Sequence, residues 1–315
     1  MTGEIIAILA VLTFVVSNVL FRKTEQNATP VFINFFRTAI GTLTFFVLAF
    51  VFGIFTYIFL LPWDLWILTF LSFLFGQVIG DTAYFKAQKE IGTTLALAIS
   101  MTFPLFTVIL SLIFLNRAFD FKIILSIVLI GSGIIVIGKS KINSINKNSE
   151  IQAQKLKSYT LFKPIIYALI ASLGWAIGLV LIDYVTNLID QILITEGISS
   201  IISNVIRFPF ALVILFSMVL RENKVGDSKQ NDHSFKKPSQ TWLILLIASI
   251  IGTSIGAYLY TEAAHTAGAV VMSLLASASP LFSLPLTYWL NKERITKFGF
   301  LGVLSTILGV IVVLI

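Results

Sequence analysis

One carboxylate, Asp81, stands well inside an apolar stretch of this sequence (LFGQVIGDTAYF), and two guanidinium groups, Arg37 and Arg207, stand about two helical turns into others. An ionised group in such surroundings costs several kcal/mol unless it is paired or wet, so each of the three marks a site. Asp81 can be half of an ion pair with Arg37 or Lys86, or it can carry a proton or hold an amine. Arg37 and Arg207 can run their stems to the nearer interface, or they can face a cavity and attract an anionic group such as a carboxylate or phosphate. Tyr84, Tyr260 and Trp175 can stack on a bound molecule or simply pack.

Two further stretches, TTLALAISMTFP and AVVMSLLASASP, are small and hydroxyl-rich ahead of a proline. A proline in a helix frees carbonyls in the turn before it. Thr93, Ser100 and Pro104 in the first stretch, and Ser273, Ser277 and Pro280 in the second, therefore either mark packing kinks or line a cavity. GTSIG, with His265 following, satisfies a Gly-x-Ser-x-Gly nucleophile pattern, which makes an intramembrane hydrolase using Ser254 the alternative of a different class. That pattern requires a strand-turn-helix elbow, however, and here it sits in an apolar helical run. No phosphate loop, dinucleotide fingerprint or metal-ligand cluster appears, so neither cofactor nor metal is expected. With no cysteine there is no disulfide or thiolate chemistry.

The elements that hold these residues follow from composition. Of 315 residues, 57% are hydrophobic and 12% charged, and mean hydropathy is +0.96, which is too apolar for a soluble surface. Apolar runs near residues 4–21, 32–58, 65–86, 93–115, 121–138, 163–183, 197–220, 241–262, 267–290 and 297–315 are each about long enough to cross a bilayer. Their continuity favours helices over barrel strands. The expected fold is an all-α integral membrane protein of ten transmembrane helices. The first run, led by Glu4 and followed by Arg22 and Lys23, does not resemble a cleaved signal. The loops after the odd-numbered runs carry 18 of the 22 Lys and Arg residues, which makes those loops cytoplasmic and puts both termini outside. The net charge of +7 reads as topology and lipid contact, and no nucleic acid is implied.

The second half then repeats the first. GQVIGDTAYFKAQKEIG, from Gly76, and GTSIGAYLYTEAAHTAG, from Gly252, share glycines at three offsets and lie 176 residues apart. At the same spacing, Pro104-Leu105-Phe106 falls on Pro280-Leu281-Phe282, and GIIVI falls on GVIVV. INFFRTAIG resembles ISNVIRFPF, and LTFVVSNVLF resembles SLGWAIGLVL. Residues 1–138 and 163–315 thus form two five-helix units joined by a polar link, 139–162. Because five is odd, the units enter the membrane from opposite sides, as in many secondary transporters. Gly76 and Gly80, like Gly252 and Gly256, put bare positions one turn apart for close helix packing. Ala257 occupies the repeat position of Asp81, so any site built on that carboxylate is one-sided.

Trp175-Ala-Ile-Gly178, the early Arg of each second helix, the Gly-x-x-x-Gly with its following Tyr and Ala, and Ser-Pro-Leu-Phe together resemble the EamA-type domain of the drug/metabolite transporter superfamily. The resemblance covers nearly the whole chain, as two domains. It implies a ten-helix permease of the cell membrane whose third, fourth, eighth and ninth helices line a central cavity. Members are commonly drawn with cytoplasmic termini, opposite to the charge count. Phe14 stands where the family usually has a Trp, and Asn116 and Arg117 replace an acidic residue that Glu293 retains in the second half. The expected function is secondary-active transport of small metabolites, such as export of amino acids, by alternating access, with an anionic or phosphorylated metabolite as the alternative. The expected partners are a small-molecule substrate and the lipid bilayer, for a chain acting as monomer or homodimer.

Overall fold

The computed structural model describes residues 2–115, 121–148, 159–193, 197–225, 237–291 and 297–314. All regular structure among them is helical. The longer helices are α1 (Thr2–Thr24), α2 (Pro30–Val51), α3 (Trp63–Ile91), α4 (Thr93–Ser100), α5 (Phe103–Phe114) and α6 (Phe121–Asn148) in the first half. They are α7 (Tyr159–Leu193), α8 (Ser199–Val225), α9 (Ser239–Ala267), α10 (Ala269–Ala276), α11 (Ser279–Asn291) and α12 (Lys297–Leu314) in the second.

Local chemistry sets several boundaries. The Thr29 side chain accepts the Phe32 N–H at 3.1 Å and Pro30 opens α2, a cap followed by the residue that loses least at a first turn. The second apolar run was expected to stay helical to residue 58. Instead α2 ends at Val51, because Gly53 turns the chain at φ +67° into a short 3-10 turn, Phe55–Leu60. The sixth run extends beyond its expected end at residue 183, to Leu193. Helix α6 continues through Asn148 into the segment expected to be a polar link, and residues 149–158 lie outside those described.

Among the described residues, six helices or helix segments are long and apolar enough to cross a membrane: α1, α2, α3, α9, Phe162–Leu193 of α7 and Ser199–Glu222 of α8. The runs expected as a fourth and a ninth span are broken helices, α4 with α5 and α10 with α11. Pro104 opens α5 instead of kinking a continuous helix, so its missing N–H falls where no intrahelical partner is needed.

Along the third and fourth helices the spacing of 176 is kept to the residue. The π-helical turns of α3 and α9 begin at Leu74 and Ile250, 176 apart. Gly92 (φ +82°) and Gly268 (φ +85°) break the chain 176 apart, and the gaps after Ser100 and Ala276 are again 176 apart. Equivalent helices pack antiparallel. In α2 and α8, Phe35 meets Phe216 while Phe45 meets Phe208. In α6 and α12, Ser126 meets Gly309 while Ser132 meets Ser305. The first helix of each half lies along the third helix of the other, α1 on α9 and α7 on α3. The exterior is apolar and bare, with Trp63 at 80% and Trp289 at 78% exposure, while the interior holds Asn34, Arg37, Asp81 and Arg207. Polar inside and apolar outside is the pattern of a protein solvated by lipid.

Candidate functional site

Where the two halves meet, a central cavity of about 110 Å³ opens, with room for a few waters or a small solute. Besides the third helices (α3, α9) and the broken helices, α1 and α7 and the second helices α2 and α8 contribute to its wall, which is more of the chain than the family resemblance implied.

The wall rests on close helix contacts. Gly76 and Gly80 of α3 face Gly174 and Gly178 of α7, and Gly252 and Gly256 of α9 face Ser17 and Thr13 of α1. Between α3 and α7 the tighter positions are the partners on α7. A Cβ on Gly178 would lie 2.6 Å from the Ser72 carbonyl oxygen, whereas one on Gly76 would first meet Gly178 Cα at 3.7 Å. A π-helical turn lies beside the contact in each third helix, Leu74–Asp81 in α3 and Ile250–Ile255 in α9.

Asp81, Arg37, Arg207, Trp175 and Tyr260 all line the cavity. Arg37 is 6% and Arg207 5% exposed, so neither runs out to an interface. Asp81 Oδ2 lies 3.4 Å from Arg37 Nη2, and its Oδ1 accepts the Trp175 indole N–H at 2.8 Å. Arg37 Nε donates to Thr253 Oγ1 at 2.9 Å, and the guanidinium lies over the Phe21 and Phe85 rings. Gln77, unremarked in the sequence, holds the network by donating to Asn34 Oδ1 and Thr38 Oγ1. Lys86, the other partner expected for Asp81, lies over the Tyr167 ring. In the second half, Arg207 donates to Asn204 Oδ1 at 2.8 Å and Thr261 Oγ1 at 2.6 Å and covers the Phe73 ring at 4.6 Å. Ala257 stands where Asp81 would be.

Of the other residues expected to line a cavity, Tyr84, Thr93, Ser100, Pro104, Ser273 and Ser277 lie outside this wall. Thr93 is buried, Ser100 donates to the Ala168 carbonyl, and Ser273 and Ser277 donate back into their own helix. Pro104 is buried beside the first break, and the side chain of Pro280 lies outside those described. Tyr84 is fully buried and donates to Gln88 Oε1 at 2.6 Å. The hydrolase elements do not assemble: Ser254 shares its hydrogen bond with Thr44, and His265 pairs with Asp190 at 2.8 Å.

The cavity is displaced toward one end of the bundle. Of repeat-equivalent pairs, Tyr260 lines it and Tyr84 does not, Ala276 lines it and Ser100 does not, and Met272 lines it and Ala96 does not. On the far side an aromatic layer closes the space, with Trp175 at 5.3 Å from Tyr84 and 5.7 Å from Phe14 between ring centres. Beyond it a polar chain continues: Tyr84 to Gln88, Gln88 to Glu25 Oε1 at 2.7 Å, and Glu25 to Arg22, which also donates to the carbonyl oxygen of Gln88. Burial pushes the Glu25 carboxyl up, against the pull of Arg22. Arg22 and Lys237 gather at this basic end, while Gly3, Ala267 and His265 mark the opposite one.

At that opposite end Asp183 accepts the Ala269 N–H at 2.7 Å and caps α10. The run expected to end at residue 183 hid this carboxylate, which lies inside α7.

The sequence profile of the EamA-like transporter family matches residues 1–139 and 162–315. An uncharacterized transporter from Archaeoglobus fulgidus is 22% identical, over 98% of this chain and 97% of its own length. A solved crystal structure superposes with a TM-score of 0.71 at 15% identity, covering 99% of this chain and 96% of that one, a likeness of fold alone. With two matching repeats around one central cavity, the chain belongs to the EamA-like transporter family and is a multi-span membrane transporter.

Proposed function

We propose that this protein is a secondary-active permease of the plasma membrane, moving small metabolites through the central cavity by alternating access. In this reading the chain crosses the bilayer ten times, α4 with α5 and α10 with α11 each making one broken crossing. The observation that carries it is the one-sidedness of the cavity in a chain whose third and fourth helices repeat at a constant spacing of 176 residues. Two antiparallel units of like fold can exchange roles. In the alternate state Tyr84, Ser100 and Ala96 would line the space, and Tyr260, Ala276 and Met272 would be sealed. Gly-on-Gly contacts between α3 and α7 supply a smooth surface for the shift.

The chain from Tyr84 through Gln88 and Glu25 to Arg22 is a latch for the state described. Its repeat positions Tyr260 and Ala264 cannot form the same link, because alanine offers no side-chain hydrogen bond. By the charge rule the latched, basic end is cytoplasmic, so the cavity leans outward.

The reading is tested by reconstituting the full chain in proteoliposomes loaded with a labelled metabolite extract. Saturable, gradient-driven exchange is expected. Flux that fails to saturate and exceeds carrier turnover would indicate a channel, and absence of any exchange would refute the permease.

A further inference from the structure

Among the described residues, the two halves place one arginine each in the cavity wall, Arg37 and Arg207, but only one carboxylate, Asp81. Asp81 is already partnered, by Arg37 at 3.4 Å and by the Trp175 indole at 2.8 Å. Arg207 is 5% exposed, and its described hydrogen bonds go to the neutral oxygens of Asn204 and Thr261. Among the described residues no carboxylate lies within ion-pair distance of it. A guanidinium has five N–H donors, and a buried charge of this kind is stabilised by an anion. Arg207 also stacks on Phe73, which lines the cavity on the side toward which the space extends, whereas Arg37 stacks on Phe21 and Phe85 on the closed side.

We infer that the cavity takes a small organic anion, with a carboxylate or phosphate oxygen on Arg207 in the position that Asp81 holds toward Arg37. This rests on the permease reading and gives it a substrate class. The repeat shows how the site arises: alanine at position 257 removes the internal counter-ion and leaves both its charge and its space to the substrate. Arg37, already neutralised, offers the anion less in the alternate state, which favours release there.

The test uses the purified full chain and three solutes of one carbon skeleton and different charge: lactate, lactamide and 1-amino-2-propanol. Methylphosphonate is added to separate phosphate from carboxylate. Binding is read by thermal shift and by counterflow in proteoliposomes. Lactate, methylphosphonate or both are expected to bind about tenfold or more tighter than lactamide, the worth of a charge-assisted hydrogen bond in a low-dielectric site. Ala257→Asp rebuilds the ion pair from within and is expected to abolish that preference while keeping the melting temperature and the size-exclusion profile. Arg207→Gln is expected to lose the preference and Arg207→Lys to keep part of it.

Binding of neither lactate nor methylphosphonate tighter than that of lactamide, tightest binding of 1-amino-2-propanol, or a preference that survives both Ala257→Asp and Arg207→Gln would overturn the inference. Exchange of lactamide or 1-amino-2-propanol without lactate or methylphosphonate would leave the permease standing and remove the anion. Anion binding with no exchange across vesicles would do the reverse.

Discussion

Asp81→Ala is expected to cost about 3–5 kcal/mol of stability, seen as a fall in melting temperature and in folded yield. Its carboxylate is the only acidic group within ion-pair distance of Arg37 among the described residues, and both side chains are less than a tenth exposed. Removing it leaves a buried guanidinium without a counter-charge and the Trp175 indole N–H without its acceptor. The double variant Arg37→Met with Asp81→Ala is expected to recover most of the loss, since replacing both members of a buried pair by apolar groups is often neutral. A double variant as unstable as the single one would show that the pair is not what holds Asp81 in place. Asp81→Asn separates structure from coupling. If this carboxylate carries the coupling proton, Asp81→Asn abolishes transport at normal expression, and a fully active Asp81→Asn protein excludes that role.

Gly178→Ala is the second large effect. The added methyl would press on the Ser72 carbonyl oxygen and, at 3.0 Å, on Gly76 Cα, both backbone atoms in a packed helix that cannot turn aside. Overpacking of this kind costs about 1–3 kcal/mol, and it jams the surface along which α3 and α7 would shift. Gly76→Ala, whose methyl first meets Gly178 Cα at 3.7 Å, is expected to stay within about 1 kcal/mol of the parent. Melting temperature and exchange rate measured on both variants separate the two positions. Equal loss in both would mean that the contact is symmetric after all.

Much of this arrangement was legible in the sequence, for a physical reason. A repeat spacing of 176 fixes backbone features as well as side chains, which is why Gly92 and Gly268, the breaks after Ser100 and Ala276 and the starts of the π turns all keep it. Depth was not legible. Arg37 and Arg207 lie near enough to helix starts that reaching an interface and facing a cavity read alike, and it is their contacts with α3 and α9 that hold them inside. The π turns were hidden because Gly-x-x-x-Gly signals close approach without saying which partner is tightest, and the partner glycines Gly174 and Gly178 lie in a helix with a different repeat spacing. Gln77 and Asp183 act through contacts 39 or more residues away in sequence. The sidedness of the cavity is not carried by what the two repeats share, and it rests on positions, such as Gln88 and Ala264, where the halves differ.

The chain contains no cysteine, so single-cysteine variants report without background. The most direct measurement compares Ala276→Cys with its repeat equivalent Ser100→Cys, labelled by a membrane-impermeant maleimide from each side of sealed vesicles, with and without the latch-breaking change Glu25→Ala. The proposed carrier predicts that Ala276→Cys reacts from the side opposite the basic end, while Ser100→Cys is protected. With Glu25→Ala, reactivity of Ser100→Cys from the basic side should rise about fivefold as that of Ala276→Cys falls, the shift expected from losing about 1 kcal/mol of hydrogen bonding. Labelling of either position from both sides at once, or labelling that Glu25→Ala leaves unchanged, would contradict it.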